Sequence, residues 1–137
     1  MTDLEREEIV EYHLSKADET LAEAAHLTVE GFWNGVANRL YYACFNAARA
    51  ILIHDKVAVH SHSGLRNQFH KCYIKSKILD EKLGEILNRL MNQRDDADYK
   101  IKTKFTEEQI RPNIEEAKKF VSIVKERITQ SKNQKIP

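Results

Sequence analysis

Residues 36–51 read VANRLYYACFNAARAI, and how this stretch is read decides the fold. Val36, Leu40, Ala43, Ala47 and Ile51 recur at three- and four-residue intervals, which is the spacing of one face of an α-helix and not of a strand. Ala43, Ala47, Ala48 and Ala50 are small enough to let a neighbouring helix approach closely. The same segment carries Arg39, Tyr42, Asn46 and Arg49, which helical geometry puts together on a second face beside the alanine seam. Two readings fit that face: long side chains reaching solvent from the edge of a core helix, or a polar site set into an apolar bundle.

Helical spacing extends in both directions. Val10, Leu14, Ala17, Leu21, Ala24 and Thr28 form a seam on a first helix over about 3–28, with Gly31 as its stop. The second helix is expected over about 32–54. DKVAVHSHSG follows as a loop, and Ser61 or Ser63 can cap a short helix carrying Leu65, Phe69 and Cys72. Asp80 is placed to cap a helix bearing Leu83, Leu87, Leu90 and Ala97, with 98–105 as a connection. Thr106 and Gln109 fit a capping box. Ile110, Ile114, Ala117, Val121, Val124 and Ile128 then give the cleanest seam in the chain. Pro112 would remove a backbone bond there, so either that helix bends or its regular part starts at Pro112. The expected fold is all-α, an up-and-down helical bundle of four long helices plus one short helix. One domain is expected over 1–137, with its core at about 3–130 and a frayed tail at 131–137.

The chain has 137 residues, 42% apolar and 31% charged, with four glycines and two prolines, which suits a helical domain able to bury a core without disulfides. Its 22 basic and 21 acidic residues nearly cancel, so any RNA contact must use a local patch instead of a global field. Cys44 and Cys72 show no metal-ligand spacing and read as reduced thiols. An acidic N-terminus without an apolar core argues against a signal peptide, and no apolar run is long enough to span a membrane. A cytoplasmic protein is the expectation.

Two further features do not suit a plain bundle. Continuing the seam Leu83, Leu87, Leu90 lands on Arg94, where an apolar residue belongs. A guanidinium facing the core needs partners, and Asp98 one turn on, with Tyr99 beside it, is the expected one; the alternative is a surface ion pair. His60 and His62, with His54 and His70 nearby in sequence, form an H-x-H segment. No carboxylate or cysteine completes a ligand set around it, so no metal and no cofactor are expected.

The ordered motifs NRLYYACFNAARAIL, HSHSGLRNQFHKCYI and RDDADY resemble the HEPN family, the higher eukaryote and prokaryote nucleotide-binding domains, over about residues 10–128. The match is to its small stand-alone prokaryotic branch with a YYA-type second helix. The resemblance implies a helical bundle, a homodimer, and a toxin–antitoxin-like or defence setting in which a minimal nucleotidyltransferase is the partner. Many such proteins are metal-independent ribonucleases that use an arginine followed four to six residues later by histidine. Arginine there stabilises the phosphorane charge while histidine transfers protons. Arg94 matches that arginine, but Asp98 and Tyr99 stand where the histidine belongs, and no histidine follows His70. The spacings Arg6 to His13 and Arg49 to His54 fall on the wrong helices.

Three functional expectations follow. The first is a module that binds nucleotide, RNA or a nucleotidyltransferase through Arg39, Tyr42, Arg94, Asp98 and Tyr99. The second is a metal-independent endoribonuclease toxin in which a loop histidine, with His62 as candidate, folds back beside Arg94. The third is a structural dimer whose arginines and tyrosines satisfy only one another.

Overall fold

The computed structural model describes residues 1–100 and 102–134. Five α-helices follow one another: α1 (Asp3–Glu30), α2 (Trp33–His54), α3 (His62–Phe69), α4 (Glu81–Tyr99) and α5 (Glu107–Gln134). Four are long and one is short, as the spacing implied. No strand occurs among the described residues.

The helix ends have identifiable causes. Thr2 and Glu5 close a reciprocal capping box at the start of α1, which satisfies two donors that the first turn cannot. Gly31 ends α1 in the left-handed conformation with φ of 75°, its N–H turned back to Leu27 and Thr28, a geometry that favours glycine. Of the two serines proposed as caps for α3, Ser61 takes the role, accepting from the Gly64 N–H at 2.9 Å. Asp80 caps α4 through the Lys82 N–H. Thr106 and Gln109 form the expected box at α5.

Three expectations are corrected, and one choice left open is decided. First, α4 continues through Asp98 to Tyr99 instead of yielding to a connection at residue 98. Second, α5 begins at Glu107 and runs through Pro112, so the regular part does not wait for the proline. Third, the segment after α3 widens into a π turn at His70–Ile74, with Lys75 N–H bonded to the His70 carbonyl five residues back. The wider turn shifts the helical register. Tyr73 stays on the buried face with Leu65 and Phe69, whereas Cys72, expected on that face, is only half-buried. Fourth, the tail is anchored at least as far as Lys132: Ser131 meets His54, and Lys132 pairs with Glu7 at 2.9 Å and Glu11 at 3.1 Å. Residues 135–137 of that expected tail lie outside the described ones.

The alanine-rich α2 is the hub, packed against α1, α5, α4 and α3, while α4 and α5 are joined by the Asn113 amide, which donates to Gln93 at 2.7 Å, and by Arg89 with Glu116. All five residues of its predicted seam are fully buried, as are Tyr41, Cys44 and Ala48. The connection from α4 to α5 is tied to the start of α2 by one side chain. The Asn34 amide donates to the Thr103 carbonyl at 2.9 Å and accepts from the Phe105 N–H at 2.8 Å. These bonds fix where α4 ends and hence where its last turn lies against α2.

Gly84 marks the tightest approach between α4 and the π turn. A Cβ there would lie 2.6 Å from His70 Cε1 and 3.2 Å from Ile74 Cγ1, and the bond of 3.0 Å between His70 Nε2 and Asn88 Oδ1 holds that ring in place. Gly84→Ala should gain about 1 kcal/mol of helix propensity yet lose about 1–3 kcal/mol to overpacking. The expected outcome is a net loss of stability, read as a lower urea midpoint at unchanged slope.

Candidate functional site

The unusual residues of the sequence meet where the last two turns of α4 cross the middle of α2. Arg94, on the seam of α4, is only 6% exposed. Its guanidinium carbon lies 4.9 Å from the ring centre of Tyr41, 5.5 Å from that of Tyr42 and 5.7 Å from that of Tyr99. Cation–π contact at this range offsets part of the cost of removing the charge from water. One terminal nitrogen donates to the Tyr99 hydroxyl at 3.4 Å and the other lies 3.2 Å from Asp95 Oδ1. Nε is buried and has no hydrogen-bond partner. Burial works against the charge, but Tyr42, Asp95, Tyr41 and Tyr99 together outweigh it and raise the arginine's pKa.

The expected pairing of Arg94 with Asp98 is not what forms. The Asp98 carboxylate instead accepts from the Asn38 amide of α2 at 2.8 Å. The Asn38 oxygen in turn accepts two bonds from Arg39, at 2.9 and 2.6 Å, and Arg39 also reaches Glu23 of α1 at 3.2 Å. Arg39 joins the cluster through Tyr42 alone, its guanidinium carbon 5.2 Å from that ring centre. Two cations therefore lie against the ring of Tyr42. The sequence pattern missed Asp95 because neighbouring residues on a helix do not share a face, although a long arginine can turn its fork back to reach one.

His62 completes the cluster. It is the first residue of α3, and the Ser61 cap sets its position. Its Nδ1 lies 2.8 Å from the Tyr41 hydroxyl, and its ring stacks on Phe45 at 4.5 Å between centres. Burial first, then the charge of Arg94, holds the His62 pKa below the usual histidine value, with Arg49 adding to the effect and Asp95 opposing it. Burial likewise pushes the Tyr41 hydroxyl up to about 12, so it stays protonated. In the tautomer with a proton on Nδ1, that atom donates to Tyr41 and leaves Nε2 as a free acceptor. Phe45 was not singled out in the sequence, and Tyr41 entered only as one of the two adjacent tyrosines of the YYA-type helix. The signal for Tyr41 was a phenol at a fully buried position, which requires a partner for its hydroxyl.

The other histidines stand elsewhere. His60 is exposed and His70 bonds Asn88. His54, nearly fully buried, lies 2.9 Å from Glu7 Oε1 and 3.2 Å from Ser131 Oγ, beside a hollow of about 340 Å³. Two cations around that hollow already have anionic partners: Arg6 lies 3.0 Å from Asp3 and Lys132 lies 2.9 Å from Glu7. Burial raises the Glu7 carboxyl, but bonds from Lys132 and His54 outweigh it and hold the pKa below the usual value. That group staples the ends of α1, α2 and α5. Among the described residues, no three His, Cys, Asp or Glu side chains gather as a metal site. None of the described helices is long and apolar enough to cross a membrane.

The Arg94 cluster thus offers a charged fork with one unbonded N–H, stacking faces, and a histidine biased toward its neutral form. Phosphate and a nucleobase are ligands of matching chemistry. Because the folded-state pKa of His62 is depressed, the unfolded chain binds the extra proton more readily. Stability from this group is therefore lost as pH falls below about 6.5, the unperturbed value. Titration by NMR should put His62 below that value, and Arg94→Met should move it upward; an unmoved His62 would dissociate the two side chains.

Comparison with known proteins adds to this geometry. A family model described as HEPN domain matches residues 10–127. A Thermotoga maritima protein described as a UPF0332 protein is 30% identical over 128 residues, covering 93% of this chain and 97% of its own. Two Methanocaldococcus jannaschii proteins, each described as a "putative toxin", are also similar. One is 33% identical over 86 residues, 63% of this chain and 58% of its own. The other is 30% identical over 114 residues, 83% of this chain and 84% of its own.

Proposed function

Because the chain belongs to the HEPN domain family, we propose that it is a toxin-type module that binds RNA or nucleotide phosphate at the Arg94 cluster. The observation that carries this reading is the Arg94 Nε, a buried donor with no acceptor in the folded chain. A buried donor left unbonded costs roughly 1–3 kcal/mol, which an incoming anionic acceptor would recover. Tyr99, 73% exposed, lies over that guanidinium and supplies a stacking face at the edge of the site. Two relatives described as toxins support the setting. A second copy of the chain and a minimal nucleotidyltransferase are the partners this reading implies.

His62 favours a second reading, in which the bound RNA is also cleaved without metal. The usual family histidine follows the arginine on the same helix; here α3 would supply it from across α2. In that reaction the ribose 2′-oxygen attacks phosphorus as its proton passes to His62. The bond from phosphorus to the 5′-oxygen breaks, and that oxygen leaves with a proton from solvent. Arg94 would stabilise the charge on the pentacoordinate phosphorus. The depressed pKa of His62 suits a proton acceptor near neutral pH.

Incubation of labelled single-stranded RNA with the protein in chelator tests both readings. Cleavage that His62→Ala lowers by about 10²–10⁴-fold, and that Arg94→Ala abolishes in a folded variant, is the result expected of a ribonuclease. Binding without cleavage, weakened by Arg94→Ala, keeps the binding reading alone. Neither binding nor cleavage would remove both and leave a polar network that serves the fold.

A further inference from the structure

Arg49 is the charged residue of the α2 polar face that the Arg94 cluster does not use. It lies one helical turn beyond Phe45, on which His62 stacks, and one turn before the buried end of α2. Beside it, the Asn46 amide is fixed at both ends. Its nitrogen donates to the Tyr42 carbonyl at 2.8 Å and its oxygen lies 3.0 Å from His13 Nδ1 of α1. Neither bond involves Arg49. The Arg49 Nε is buried with no hydrogen-bond partner, and no carboxylate among the described residues pairs with it. Arg39 and Arg94, the other arginines of this surface, each have one. Arg49 is nonetheless half-buried with part of its surface open to solvent, which leaves the fork reachable from outside.

Arg94 lies against Tyr41 and Tyr42, and Arg49 follows them by seven and eight positions, which is roughly 10–12 Å along the helix. His62 is positioned between them, over Phe45. A rise of that size along the helix suits consecutive phosphates of a strand better than a single phosphate. We propose that Arg49 is a second phosphate contact on α2, so that the ligand of this surface is a single-stranded polynucleotide and not a mononucleotide. The inference rests on the reading of the Arg94 cluster as a nucleic-acid site and extends it by a strand direction, from α4 past His62 toward the loop end of α2. His13 and His62, the titratable neighbours of Arg49, are both held below the usual histidine pKa chiefly by burial, with Arg49 contributing. Near neutral pH the arginine is then the full positive charge at this end of the strip.

The test compares the wild-type protein with Arg49→Gln and Arg49→Lys, using a twelve-nucleotide single-stranded RNA and adenosine monophosphate as probes, with folding checked by circular dichroism. Arg49→Gln should weaken RNA binding about tenfold and leave the mononucleotide unchanged. The slope of log affinity against log salt should fall in magnitude by about 0.7, one phosphate contact on a single strand. Arg49→Lys should keep that slope. Equal losses for both probes, or an unchanged salt slope in folded Arg49→Gln, would overturn the assignment. Should Arg49→Gln not fold, the wild-type protein still decides: a dinucleotide carrying two phosphates should bind about tenfold tighter than one carrying a single phosphate, and equal affinities count against it. Failure of the wild-type protein to bind any RNA would remove the Arg94 reading and this one together, whereas RNA binding indifferent to Arg49 removes only this one.

Discussion

A guanidinium held among phenol rings is the constraint around which the site is organised. Arg94 occupies a core position of α4, and a charge there is tolerated only because aromatic faces and one carboxylate surround it. That requirement fixes several other choices. Tyr41 and Tyr42 must follow each other on α2 so that both rings can meet the charge. α4 must continue one turn past the arginine to bring Tyr99 over it. The connection to α5 must turn away directly afterwards, which the Asn34 clamp secures. His62 then enters through Tyr41, whose hydroxyl it meets at 2.8 Å.

The scaffold that makes this possible is the small-residue surface of α2. Alanines at 43, 47, 48 and 50 are fully buried and admit α1, α4 and α5 around a single helix. The position of Arg94 is set by α2, by the π turn beneath Gly84 and by α5, whose buried Asn113 donates to the adjacent Gln93 at 2.7 Å. At the opposite end, His54 binds α1 and α5 together through Glu7 and Ser131. The two polar centres therefore differ in role, one holding a charge with an unbonded donor at the crossing of α4 and α2 and the other closing the bundle.

Much of the fold was legible in the sequence because helical seams and caps are local. Thr106 with Gln109, Asp80 and Ser61 all do what short-range stereochemistry demands of them, and every seam residue predicted for α2 is buried. The misreadings share a cause. Cys72 was assigned to a face that a π turn rotates away, and no residue pattern announces a π turn. Asp98 was matched to Arg94 by helical spacing, but a competing amide on α2, sixty positions earlier, captured it. His62 shows the complementary case. Its loop location left its neighbours undetermined, and only the crossing of α2 with α3 brings it to Tyr41. Pairings within one helix can be read from spacing, whereas pairings between helices depend on where each axis runs.

The π turn at His70–Ile74 has a consequence for how this part of the chain bears a change in length. A turn that closes across five residues holds one residue more than an ordinary helical turn of four. Removing that surplus residue would let the backbone close as a regular helix with the segments on either side keeping about their orientation, whereas a deletion elsewhere in α3 would rotate everything beyond by about 100°. Tyr73, whose hydroxyl reaches the Ile51 carbonyl of α2 and Asp55 just after it, would therefore be displaced far less by a deletion inside the turn than by one before it. The turn works as a slack link: it can give up one residue without turning the chain that follows.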